Sequence, residues 1–129
     1  MRLLARPESV QEARRFVGDC LDGWGGDGRA DVAVLLTSEV VTNAVLHGGP
    51  HGPGAEVSLK VHLSPRRARV EVSDTGGGIP TTGDGNLDGL SGRGLLIVEA
   101  MASVWGVRAN GVGRMGKTVW FEVDSMPPT

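Results

Sequence analysis

Four short stretches of this chain carry residue types at spacings that could do chemistry. In "EVVTNAVLHGG", residues 39 to 49, a carboxylate (Glu39), an amide (Asn43) and an imidazole (His47) recur one helical turn apart among Val, Ala and Leu. An ionised carboxylate on so oily a rod costs several kcal/mol unless something pairs with it, so Glu39 needs a partner or a wet cavity. In "VEVSDTGGGIP" a second carboxylate, Asp74, stands before Gly76, Gly77, Gly78 and Ile79, where bare backbone can approach a ligand. In "GRGLLIVEA" a helix opens on Gly92, Arg93, Gly94 and Leu95. Its free N–H groups, its dipole and the arginine form a natural phosphate cradle. Last comes Gly116-Lys117-Thr118, opening the final apolar run. Each stretch also has a plain reading: a buried Glu and Asn bonded to backbone, an Asp capping a turn, an ordinary glycine turn. His47 at a helix end either touches a phosphate or bonds the last carbonyls. With His51 it makes no metal pair, because Gly48, Gly49 and Pro50 intervene and no third ligand has a sensible spacing.

Regular elements must hold these groups in place. Ser9 followed by Glu12 reads as a capping box, and Val10, Ala13, Val17, Cys20, Leu21 and Trp24 continue a helix to Gly25-Gly26. Cys20 lies on that stripe as a small core residue. A second helix runs from near Asp31 to Gly48-Gly49. Val32, Leu35, Leu36, Glu39, Val40, Asn43, Leu46 and His47 share one broad face of it, with Val34, Val41 and Val45 opposite, so both sides should be covered. "EVSLKVHLS" and "ARVEVSD" alternate as half-buried strands, and their parity turns Asp74 inward. Residues 81 to 94 have the small, polar, aperiodic composition of a lid. "VWGVRAN" and "KTVWFEV" form a closing hairpin. In the latter Val119, Phe121 and Val123 make the inward set, so a site role for Thr118 requires a twist or bulge. Lys117 either supplies charge or covers its strand. The expected fold is a two-layer α+β sandwich: a mixed, mostly antiparallel sheet with helices on one face.

Composition sets the bounds. At 129 residues the chain makes one domain, 1–129. Thirteen basic against fifteen acidic residues give a net charge of -2, which does not favour direct nucleic-acid binding. The single cysteine forms no internal disulfide, and no leader or membrane-length apolar run is present, so a cytoplasmic location is expected. The 21 glycines cluster between Val-, Leu- and Ala-rich segments, as punctuation between packed elements.

The four stretches stand in an order that resembles the GHKL-type ATP-binding superfamily of DNA gyrase, histidine kinases and mismatch-repair ATPases. The compact arrangement, over nearly the whole chain, is most similar to bacterial anti-sigma regulatory factors of the serine/threonine-kinase type. The resemblance implies ATP and magnesium as cofactors. Asn43 would be the metal ligand and Glu39 the catalytic base that orients or deprotonates the attacking hydroxyl. Asp74 would accept from the adenine amino group, with Gly76, Gly78, Ile79 and Thr118 at the same end. Gly92, Arg93, Gly94 and Leu95 would wrap the phosphates, with His47 near them. The implied function is a protein-serine kinase that phosphorylates an anti-anti-sigma (STAS-type) partner and sequesters a sigma factor. The alternative is a regulatory module that binds ATP and acts by contact without phosphotransfer. A histidine-kinase catalytic part is disfavoured, since a chain taken as complete has no dimerising hairpin ahead of the fold. A homodimer through the N-terminal edge is left open, as only "RLLARP" precedes the first helix.

Overall fold

The computed structural model describes residues 1–26, 28–47, 56–74, 93–110 and 116–125, with His47 and residues 93–95 described by backbone only. Eight elements follow in order: β1 (Arg2–Leu4), α1 (Ser9–Cys20), α2 (Arg29–His47), β2 (Glu56–Leu63), β3 (Arg67–Asp74), α3 (Arg93–Met101), β4 (Val104–Ala109) and β5 (Lys117–Asp124). The strands form one sheet in the order β1-β2-β3-β5-β4. The last strand in sequence is therefore internal, between β3 and β4.

Alternation in the sequence becomes two distinct sheet faces. Leu59 pairs with Val72, Val61 with Val70, Val70 with Phe121 and Val72 with Val119, which stacks the apolar residues of three strands on one side. Leu36, Val40, Val41 and Ala44 of α2 are buried in the same core as Val17 of α1, Val98 of α3 and Phe121 of β5. The other face carries Arg69, Glu71, Trp120 and Glu122 in cross-strand register. The Arg69 guanidinium lies 4.1 Å from the centre of the Trp120 ring.

Several expectations change in detail. All four strand pairings among the described residues are antiparallel, so the sheet is not mixed. Ser9 does not cap α1: Glu8 occupies the cap position without a side-chain bond, and the Ser9 hydroxyl donates back to the Leu4 carbonyl, tying the helix to β1. The second helix begins at Arg29, whose side chain donates to the Asp124 carbonyl at 2.9 Å and fixes α2 to the end of β5. Helical spacing alone put Leu35 and Leu46 on the covered face, yet they are 40% and 61% exposed. The buried stripe instead runs through Ala33, Leu36, Thr37, Val40, Val41, Ala44 and Val45. Ala33 and Ala44 there let α2 lie close to its neighbours, while Leu35 and Leu46 fall at the margins.

Candidate functional site

A small pocket lies between the C-terminal half of α2 and the ends of β3 and β5. Val40, Asn43 and Ala44 form the helix wall, and Val72, Asp74, Lys117 and Val119 form the sheet wall. Mostly apolar lining with a few convergent polar groups is the usual make-up of a small-molecule site.

Strand parity correctly turns Asp74 inward. It closes β3 in phase with Ala68, Val70 and Val72 and is 2% exposed. One carboxylate oxygen, Oδ2, lies 3.0 Å from the Lys117 ammonium, while the other, Oδ1, is buried and has no hydrogen-bond partner among the described residues. On the facing helix, Asn43 Oδ1 is also buried and unpartnered among the described residues. A buried acceptor left bare costs about 1–3 kcal/mol, and folded proteins leave few of them. Here both fall on the walls of one pocket, as ligand-binding acceptors would. Glu39 sits one turn before Asn43, half-buried, outside the immediate lining. Among the described residues no cluster of three or more His, Cys, Asp or Glu side chains is present. Of the described pocket residues, Asn43 has a neutral oxygen that could hold a cation beside oxygens that a ligand brings. That mode suits magnesium, which keeps few protein ligands beside substrate phosphates.

The turn into β5 explains how the sheet wall is assembled. Gly116 has φ +91°, and a Cβ there would stand 2.1 Å from the Asp74 carbonyl oxygen. The Asn110 side-chain amide donates to that same carbonyl at 3.0 Å, and the Asn110 backbone N–H donates to the Gly116 carbonyl at 3.1 Å. This close approach sets Ser73 opposite Thr118. Thr118 accordingly belongs to the face opposite Asp74, with its hydroxyl 2.6 Å from that of Ser73 and donating to Asn110 Oδ1 at 2.8 Å. The strand has no bulge here, so Thr118 supports the turn from behind instead of lining the pocket. Lys117 is the residue that faces Asp74. The signal was present in the sequence, since the inward series Val119, Phe121 and Val123 extends back to Lys117.

Of the remaining expected site residues, Gly76, Gly78, Ile79 and Gly92 lie outside the described residues. Arg93, Gly94 and Leu95 open α3, and His47 ends α2, each by its backbone.

Comparison with known proteins agrees with this geometry. The model of the histidine kinase-like ATPase domain matches residues 3–122. Among solved structures, the chain is similar to the histidine kinase domain from the Erythrobacter litoralis EL346 blue-light activated histidine kinase, at 31% identity and a TM-score of 0.52. That likeness covers 75% of this chain and 45% of the other, so the chain spans less than half the length of its relative. No curated protein sequence matches. With the domain model matched over nearly its whole length, the chain belongs to the histidine kinase-like ATPase domain family.

Proposed function

We propose that this chain binds magnesium-ATP in the pocket between α2 and the β3–β5 edge. In this reading it acts as a protein-serine/threonine kinase on an anti-anti-sigma (STAS-type) partner and holds a sigma factor inactive. The observation that carries the nucleotide reading is the pair of unpartnered acceptors, Asn43 Oδ1 and Asp74 Oδ1, on facing walls of one pocket. Asp74 offers an acceptor to the amino group of a base, and Asn43 offers a hard oxygen to a cation. Val40, Ala44, Val72 and Val119 keep water from the base end. Glu39 would take the proton of the hydroxyl that accepts the phosphoryl group. When bound, magnesium-ATP supplies that group and the charge that orients it. The sigma-factor and STAS partners are supported by the order of the four motifs and their resemblance to anti-sigma regulators. One observation favours the alternative, binding without phosphotransfer: Glu39 stands outside the pocket lining.

Thermal unfolding with and without magnesium-ATP tests the pocket. Nucleotide at about 100 times its dissociation constant adds roughly 2.7 kcal/mol and should raise the midpoint by several degrees. Asp74→Asn should abolish the rise, measured against its own nucleotide-free midpoint because the change also removes Lys117's partner. A rise that persists in Asp74→Asn would move the base elsewhere, and no rise in the folded wild-type chain would end the ATP reading.

A further inference from the structure

The sheet ends on β1 at one side and on β4 at the other, and the two edges differ. β1 is three residues long, and its Leu4 carbonyl already accepts from the Arg6 N–H and the Ser9 hydroxyl. A short edge with its carbonyl occupied is a poor template for a further strand. β4 is six residues long, with no proline or lysine and an unbroken register against β5. The Asn110 N–H reaches the Gly116 carbonyl, so by the alternation of an antiparallel ladder Arg108, Gly106 and Val104 are the residues that bond to β5. Trp105, Val107 and Ala109 therefore aim their N–H and C=O groups away from the sheet, and among the described residues nothing pairs with them.

We propose that this edge is a self-association surface, on which β4 of a second copy of this chain pairs antiparallel about a two-fold axis at Val107 and joins two five-stranded sheets into one. Only outward groups bond across such a seam, so odd-numbered residues meet odd-numbered ones. Centred on Val107, Trp105 meets Ala109 of the second copy, Val107 meets Val107 and Ala109 meets Trp105, each pair exchanging two hydrogen bonds. The side chains match as well. On the helix-covered face a large Trp105 lies beside a small Ala109. On the open face Arg108, the only charged residue of the strand, falls opposite Gly106 of the second copy and not opposite itself. The Trp120 indole fills the space that Gly106 leaves, 2.6 Å from where a Cβ would stand, and gives the guanidinium an aromatic neighbour. α3 packs on β4 with Leu96 and Met101 exposed, and the two-fold axis brings both α3 helices to the same face of the joined sheet. An extended strand from an unrelated protein would not call for an edge that complements itself residue by residue.

Sedimentation velocity of the full chain without nucleotide, from micromolar to submillimolar concentration, tests this apart from the ATP reading. The wild-type mass should rise with concentration toward twice the 13.4 kDa of one chain. Val107→Pro removes an N–H that faces outward, a change edge strands tolerate, and should weaken association by at least about 30-fold through two lost hydrogen bonds. Ala109→Pro, at an exposed position, should weaken it as well and decides alone if Val107→Pro does not fold. Arg2→Pro makes the same change on the β1 edge and should leave the dimer intact. A chain that stays monomeric at every concentration overturns the inference. So does a dimer that survives both β4 variants, and so does one lost in Arg2→Pro, which would put the contact on the N-terminal edge.

Discussion

Gly116 shows how much of the site depends on an absent side chain. Its φ of +91° is strained for any residue with a Cβ, and that Cβ would fall 2.1 Å from a backbone oxygen that cannot swing away. The same oxygen, Asp74 O, is held by the Asn110 amide, whose own oxygen is held by Thr118. Moving any member of the chain moves the carboxylate. Gly116→Ala should therefore destabilise the protein by at least about 2 kcal/mol in urea unfolding, through backbone strain and the forced parting of β3 and β5. Gly26→Ala is the control. It has no atom within 4 Å of the added Cβ and no positive φ, so a change within about 0.5 kcal/mol is expected. Equal effects in the two variants would mean that the β5 turn yields freely and does not fix Asp74.

At the scale of elements, the open face of the sheet is held by charge instead of apolar burial. Glu71 of β3 accepts from Arg69 at 2.8 Å and from Arg108 of β4 at 3.1 Å. Glu122 of β5 accepts from Arg67 at 2.8 Å and from Arg69 at 2.9 Å. The network ties three strands, and Arg69 also covers the Trp120 ring. Opposite that ring stands Gly106, where a Cβ would lie 2.6 Å from Trp120 Cζ2. Burial pushes the Glu71 carboxyl up, but hydrogen bonds and charge from Arg69 and Arg108 outweigh it and hold it below its ordinary value near 4.5. A carboxyl depressed on folding contributes stability that is present above its unfolded pKa and lost as the pH falls through the folded one. Wild type should therefore lose about 1 kcal/mol more than Glu71→Gln between pH 7 and pH 3, read from urea midpoints. Parallel pH profiles would show that the network adds nothing measurable. Period-two patterning made the two faces legible in the sequence, including Asp74 inward and Thr118 outward. Strand order was not legible, because the insertion of β5 between β3 and β4 follows from non-local pairing that no local pattern encodes. Leu35 and Leu46 misled for a related reason: helical spacing gives a face but not how far the neighbouring elements reach along it.

For the whole molecule, the central question is whether a domain that spans 45% of its structural relative retains chemistry or only holds nucleotide. The helix wall of the pocket and the proposed base share one element, α2, with Asn43 on the pocket wall and Glu39 one turn earlier, half-buried. Because Glu39 does not line the pocket, removing its carboxylate should leave the binding energy of the base and cation groups intact. Glu39→Ala is thus expected to keep the nucleotide-induced rise in unfolding temperature while phosphate release or transfer to a serine falls by about 10²–10⁴, the usual contribution of a positioned general base. The two readouts must separate for the kinase reading to hold. If turnover survives in Glu39→Ala, the proton is taken elsewhere. If wild type itself shows binding without turnover, the domain works as a nucleotide-dependent binding module, and the half-buried Glu39 has a structural part in α2. Binding and turnover lost together would instead place Glu39 among the groups that hold the ligand, and the division of roles along α2 drawn here would fail.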